Sequence, residues 1–364
     1  MPRLRRILKR LGLSLATLML LFLVVEGATR ALEPGPFSFL DSNPYMEHPT
    51  HPGVFLHRPN FQGRWDGTWY ETNSSGMRGP ELDLTLGEHE FRVIALGDSC
   101  TFGKGVLEEH SWPRQLEHLL TWELGSPWRP VVANLGVNGH SGATYELMFR
   151  ERGLHLQPNL VLVGYNINDF PNVLSSIDEH VFKQATARRL IPQGLRDRLG
   201  RFASYRWARQ TYYHTRRAAD WAEGEAFARQ AGEDSADTEA WLQQEQYLRE
   251  IRNQAHKVGA HMAVFLFPYE SQVYLDTFDA SPIERLRETC RQLGVPFVDL
   301  AEEFRSHART TTPPRELFLR GDRYHPNPEG YFLVAKRVLE VLKEMDWLPH
   351  VEPQSDPQNA DDQR

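Results

Sequence analysis

The stretch Phe91-Arg92-Val93-Ile94-Ala95-Leu96-Gly97-Asp98-Ser99-Cys100-Thr101-Phe102-Gly103 decides how the chain is read. Its first half is a continuous apolar run, the pattern of a strand covered on both faces in a parallel sheet. Its second half is a glycine turn that presents a hydroxyl, so Ser99 is expected at the carboxyl end of that strand. Open parallel sheets bind their ligands beyond such ends. A nucleophile would be useful there.

Serine is a weak nucleophile at neutral pH and needs an imidazole to take its proton and a carboxylate to fix the imidazole's tautomer. Asp322-Arg323-Tyr324-His325 offers both from one loop near the C-terminus. The order Ser, Asp, His also occurs in α/β-hydrolases, but their serine sits in G-x-S-x-G. Here Gly97-Asp98-Ser99-Cys100-Thr101 lacks the second glycine, so a nucleophile elbow does not fit. Asp98 is expected to hold the turn by accepting backbone N–H bonds, not to take part in chemistry.

The α/β pattern continues outward from this stretch. Strands are predicted at Arg92 to Leu96, Val131 to Leu135, Leu160 to Tyr165, His261 to Phe267 and Val295 to Leu300. Ser111 is placed to cap a helix with Pro113 in its first turn and Leu116, Leu119, Leu120 and Leu124 on one face. A second helix is predicted over Ala143 to Leu156. A last one opens at Asn327-Pro328 and buries Leu333, Val334, Val338 and Leu342. Strand, helix, strand repetition gives a parallel sheet with right-handed crossovers.

The blocks together resemble the SGNH hydrolase family, also called GDSL esterases and lipases, in their membrane-anchored bacterial form. Phe91 to Gly103 is similar to its first block and Asp322 to His325 to its last. The resemblance implies a three-layer α/β/α sandwich with a flavodoxin-like parallel sheet. It also implies catalytic Ser99, Asp322 and His325, with no metal or organic cofactor. In Asn134-Leu135-Gly136-Val137-Asn138-Gly139-His140-Ser141 it places a backbone donor at Gly139. In Gly164-Tyr165-Asn166-Ile167-Asn168-Asp169 it places a side-chain donor at Asn168, although the family's glycine two residues earlier is here Asn166. With the Ser99 N–H, these donors would form an oxyanion hole. His140 and Asp169 are expected to be local hydrogen-bonding groups. The segment Thr72 to Glu81 also resembles one that precedes the first block in anchored members, and Arg78 within it is expected to be structural, a place at the active-site rim being the alternative.

Composition bounds the rest. The 364-residue chain carries a net charge of −7, which argues against a nucleic-acid partner. The cysteines, Cys100 and Cys290, show no zinc-like spacing and read as core with no disulfide; Cys290 shares a helical face with Ile283, Leu286 and Leu293. Arg3, Arg5, Arg6, Lys9 and Arg10 precede an apolar run from Leu11 to Val25, with no small-x-small cleavage site after it. The expectation is an uncleaved signal anchor over residues 1–32, basic end in the cytoplasm and body periplasmic or extracellular. Secretion after signal cleavage is the alternative. Residues 33–90 read as a loop-rich extension and 91–348 as the hydrolase-like domain. A helical insertion is expected at 182–256, basic and aromatic first, acidic second; it is either a solvated hairpin or a lid over an anionic, glycan or lipid ligand. The tail, 349–364, reads as disordered.

The expected function is a serine esterase that cleaves O-acyl groups on cell-envelope glycans or lipids through an acyl-enzyme. The alternatives are O-acyl transfer to a cell-surface polysaccharide and, from another class, a non-catalytic glycan-binding module.

Overall fold

Successive side chains of a strand point to opposite faces, so a strand apolar at every position must be covered on both. Three strands buried along nearly their whole length, with a less buried strand on either side, form the central sheet. The computed structural model describes residues 2–32, 44–65, 68–166, 169, 202, 204–205, 238–274, 281–310, 316–319, 322 and 324–350. Short antiparallel pairs come first: β1 (Tyr45–Glu47) with β2 (Phe55–His57), and β3 (Gln62–Trp65) with β4 (Thr68–Glu71). The main sheet comprises β5 (Glu90–Gly97), β6 (Arg129–Asn134), β7 (Leu160–Asn166), β8 (His261–Phe267) and β9 (Phe297–Asp299). All its pairings are parallel, in the order β6-β5-β7-β8-β9. This is the flavodoxin-like order, and its switch point lies between β5 and β7.

Alternate residues of one strand supply two different cores. Ile94, Leu96, Val161, Val163, Tyr165, Val264 and Leu266 face one layer of helices, with Tyr145, Leu248, Ile251, Leu286 and Cys290. Val93, Ala95, Leu160, Leu162, Ala263 and Phe265 face the other, with Leu116, Leu120, Val334, Val338 and Leu342. Among the described residues the α-helices are α1 (Pro2–Leu32), α2 (Ser99–Phe102), α3 (Trp112–Leu124), α4 (Gly142–Met148), α5 (Thr238–Lys257), α6 (Glu270–Tyr274), α7 (Ser281–Leu293), α8 (Ala301–Thr310) and α9 (Pro328–Glu344). The fold is a three-layer α/β/α sandwich. Both cysteines are buried and free.

Several elements differ from their sequence reading. Ser111 is the N-cap of α3, but its hydroxyl donates to the Glu108 carbonyl instead of accepting from the helix. The helix expected over Ala143 to Leu156 is α4 followed by a π turn, Phe149–Gly153, and a short 3-10 turn, Leu154–Leu156. The final strand is shorter than Val295 to Leu300.

The expected insertion, 182–256, takes in α5 from Thr238 onward. That helix is not an appendage. Trp241, Leu248, Ile251 and Ala255 are buried against the sheet, so the described part is the crossover layer between β7 and β8. Apart from 202 and 204–205, residues 182–237 lie outside the described residues, as does the tail from 351.

Helix α1 carries an apolar stretch, Lys9–Arg30, long enough to cross a membrane. Its leucines between 11 and 23 are exposed, which is not the state of a core helix. Where α1 ends it touches the body: Glu26 Oε2 accepts from the Ser204 amide at 3.0 Å and hydroxyl at 2.7 Å, and Phe22 meets Phe202 edge-on.

Candidate active site

The chain leaves β5 through Gly97, whose φ is +157°. A Cβ here would collide with Thr101 Oγ1 and the Gly164 carbonyl of the neighbouring strand. Without one, the chain turns directly into α2. Asp98 caps that helix by accepting from the Cys100 amide at 2.8 Å. Ser99 is its first residue, where a helix's N–H groups have no partner in its own ladder.

The turn is held from three sides. Arg78 is buried, and its guanidinium donates to the carbonyls of Phe102, Gly103 and Val106. It serves the C-terminal end of α2 and not the site's rim. Asn134, at the end of β6, donates to the Thr101 carbonyl at 3.0 Å and accepts from the Gly136 amide at 3.0 Å. Cys100 turns inward, where its Sγ accepts from Asn166 Nδ2 at 3.0 Å and lies 3.6 Å from the Tyr324 carbonyl. Burial, then the charges of Asp98 and Asp322, push its thiol pKa well up, so it remains a neutral linker.

Across the sheet's carboxyl edge, the loop before α9 brings in the other groups. His325 Nε2 lies 2.8 Å from Ser99 Oγ. His325 Nδ1 lies 2.7 Å from Asp322 Oδ2, while Asp322 Oδ1 accepts from the Tyr324 and His325 amides at 3.0 and 3.1 Å. Burial pushes the Asp322 carboxyl up. The charge and hydrogen bond of His325, the charge of Lys104 and the Tyr324 amide outweigh it and hold the group well below the usual carboxylate range. This lowering favours an ionised Asp322 at neutral pH. A carboxylate on Nδ1–H leaves Nε2 as the acceptor facing the serine hydroxyl, which is the arrangement a general base needs.

Gly139 lies in the turn after β6 with φ +79°, and a Cβ there would meet nothing within 4 Å. The open surface leaves its backbone approachable. His140 beside it is buried and joined through Nε2 to the Phe55 carbonyl at 2.7 Å. Asn168 lies outside the described residues. Its neighbours are described: Asn166 closes β7 with its amide turned to Cys100, and Asp169 accepts from the Asn166 N–H at 2.8 Å and the Tyr145 hydroxyl at 2.7 Å. Burial and the nearby Asp98 charge push the Asp169 carboxyl well up.

The sequence reading placed Ser99, Asp322 and His325 where the structure brings them together; of the middle blocks, Gly139 is described and Asn168 is not. It missed Asn134 and Asn166 as braces. An asparagine at a strand end gives no signal of its own; its role appears only when the strands are side by side.

Residues 95–333 match the model of the GDSL-like lipase/acylhydrolase family. Among curated proteins no significant match is found. Solved structures give alignments over much of the chain. One is an acetyl xylan esterase, AlAXEase, at 14% identity, covering 69% of this chain and 100% of that one with a TM-score of 0.43. TesA aligns at 12% identity, 70% and 99% coverage and a TM-score of 0.42. The psychrotrophic esterase EstA from Pseudoalteromonas sp. aligns at 13% identity, 70% and 97% coverage and 0.40.

Proposed function

We propose, for a chain that belongs to the GDSL-like lipase/acylhydrolase family and is a serine ester hydrolase, that Ser99, His325 and Asp322 are its catalytic triad. The observation that carries this reading is the unbroken relay from Ser99 Oγ to His325 Nε2 at 2.8 Å and from His325 Nδ1 to Asp322 Oδ2 at 2.7 Å. In this mechanism Ser99 Oγ attacks the ester carbonyl as His325 takes its proton. The carbonyl oxygen, now an anion, is met by the N–H groups of Ser99 and Gly139 and by the Asn168 side-chain amide. His325 then returns the proton to the departing alcohol. Water, activated by the same imidazole, releases the acid from the acyl-enzyme.

The substrates proposed are carboxylic esters carried on glycans or lipids of the cell envelope, reached by a body held at a membrane by α1. The Glu26 and Phe22 contacts to Ser204 and Phe202 favour a retained helix over a cleaved one, and the basic flank Arg3 to Arg10 favours a periplasmic or extracellular body. Labelling with a fluorophosphonate tests the nucleophile: wild type labels, and Ser99→Ala does not. Turnover of p-nitrophenyl esters of graded length and of acetylated glycans tests the substrate class. Full labelling of Ser99→Ala would sink the assignment.

A further inference from the structure

The end of β1 carries a second cluster of donor atoms, away from the triad. After Glu47 the chain runs His48-Pro49-Thr50-His51-Pro52, and the prolines restrict the backbone between and beyond the two histidines. Their rings face each other: centroids are 4.7 Å apart, planes cross at 78°, and the Nδ1 atoms are 3.2 Å apart. Glu151 reaches the same point from the π turn Phe149–Gly153, a local widening of the helix that recurs at functional sites. Its Oε2 lies 2.9 Å from His48 Nε2 and its Oε1 3.6 Å from His51 Nδ1. One donor atom from each of the three residues lies within 4.8 Å of the other two.

A hydrogen-bonded latch between the extension and Glu151 needs only the His48 Nε2–H. His51 joins that latch when its Nδ1–H donates to His48 Nδ1 at 3.2 Å, and a cation in place of this proton would draw on both imidazoles and on Glu151 at once. Two imidazole lone pairs at this distance repel unless a proton or a cation lies between them. Ligands held at 2.0–2.1 Å around a tetrahedral zinc are about 3.3 Å from one another, close to the 3.2 Å found between these nitrogens. Two imidazoles and one carboxylate suit zinc and its neighbours, not calcium or magnesium, which take oxygen donors. His48 is buried, while His51 and Glu151 are partly exposed, so the group has a rigid floor and an open side.

We propose that His48, His51 and Glu151 bind one divalent transition-metal ion, zinc being the best match, which pins the N-terminal extension to the segment following α4. The Thr50 amide points to His48 Nδ1 at 3.2 Å, and the Thr50 hydroxyl lies 3.0 Å from His51 Nδ1 and 3.4 Å from His48 Nδ1. An ion on the Nδ1 atoms replaces the first of these bonds and leaves the hydroxyl beside the site. The ion takes no part in ester cleavage.

Tag-free, full-length protein in detergent is stripped with a chelator and titrated with Zn²⁺ by calorimetry, with Tm read in parallel. The expected result is saturable binding of one ion per chain and a rise in Tm, both lost in His51→Ala and in Glu151→Gln. Fluorophosphonate labelling of Ser99 in both variants verifies that they are folded. Should His51→Ala fail to label, His51→Gln replaces it. Zinc binding that persists in both folded variants puts the ion elsewhere, for instance on His325 and Asp322, and overturns the site. Absence of saturable binding to wild type overturns it as well, leaving a hydrogen-bonded latch.

Discussion

Asp322 is the residue whose replacement separates orientation from chemistry. As a carboxylate it accepts from His325 Nδ1–H, so an amide in its place would donate there and turn the imidazole to the wrong tautomer. Asp322→Asn is expected to lower kcat roughly 10³–10⁴-fold with little change in KM, whereas Ser99→Ala should show no covalent labelling at all. The paired asparagines divide similarly. Asn166 Nδ2 is already engaged by Cys100 Sγ, so Asn168→Ala should lower kcat by about 10²–10³-fold, the cost of one oxyanion donor, and Asn166→Ala by much less. Steady-state kinetics on one short ester compares both, and the reverse order would move the oxyanion donor by two residues. Two further histidines govern pH stability. Burial, then repulsion from His140, Arg78 and Arg152, lowers His57 to about 3; burial, partly offset by the Phe55 carbonyl, lowers His140 to about 4. Unfolded, each titrates near 6.5, so below about pH 6.5 the unfolded chain binds more protons than the folded one. Their contribution is complete above that value and is lost as pH falls toward 4 and then 3. The urea midpoint should therefore drop between about pH 7 and about pH 5. His57→Phe, which keeps a ring against Phe102, should flatten that slope.

At the scale of elements, α2 is too short to hold itself and depends on what meets its ends. Asp98 caps the beginning, and Arg78 binds carbonyls at and beyond the end. Removing a buried guanidinium that serves three carbonyls leaves Phe102 and Gly103 with only long 3.4 Å bonds from Asn134 Nδ2 and the Val106 amide, and bonds to a charged group contribute about 1.5–3 kcal/mol each. Arg78→Met is thus expected to destabilise the fold by more than about 3 kcal/mol. Arg78→Lys should recover only part, since one ammonium cannot reproduce the planar fork; denaturant midpoints of the three proteins measure it. Strands β5, β7 and β8 were legible in the sequence because both faces are apolar and the runs are short, which suits a doubly covered strand. The helix over 142–156 was legible only as one unit, since hydrophobic spacing does not distinguish an α from a π turn. β9 was overestimated because Val295 and Leu300 are buried from outside the strand. A helix was expected within 182–256, but the burial of α5 was hidden by its polar composition: Trp241, Leu248, Ile251 and Ala255 make a narrow apolar stripe among charged residues, and that stripe is a buried face only once β8 lies beneath it.

For the molecule as a whole, the packing of α5 changes which test of a lid is meaningful. Removing all of 182–256 would take away α5, whose Trp241, Leu248, Ile251 and Ala255 belong to the core on one sheet face. A deletion confined to 182–237, closed with a Gly/Ser linker, spares it. In sequence that stretch comes after β7, and it carries Arg206, Trp207 and many other basic and aromatic residues. If it grips a polymeric ester, the deletion should raise KM for an acetylated glycan far more than for p-nitrophenyl acetate, because the smaller ester ends at the triad. The proposed anchoring by α1 must be tested in the same protein, since Glu26 and Phe22 of α1 contact Ser204 and Phe202 inside the deleted stretch. Full-length protein is expected to stay with the membrane after alkaline carbonate washing, and the deletion variant to stay equally, since the apolar stretch alone sets insertion. A mature N-terminus beyond Ala28 would identify a cleaved signal instead. Equal changes in KM for both esters, in a variant that still labels with fluorophosphonate, would reduce the stretch to a solvated surface feature.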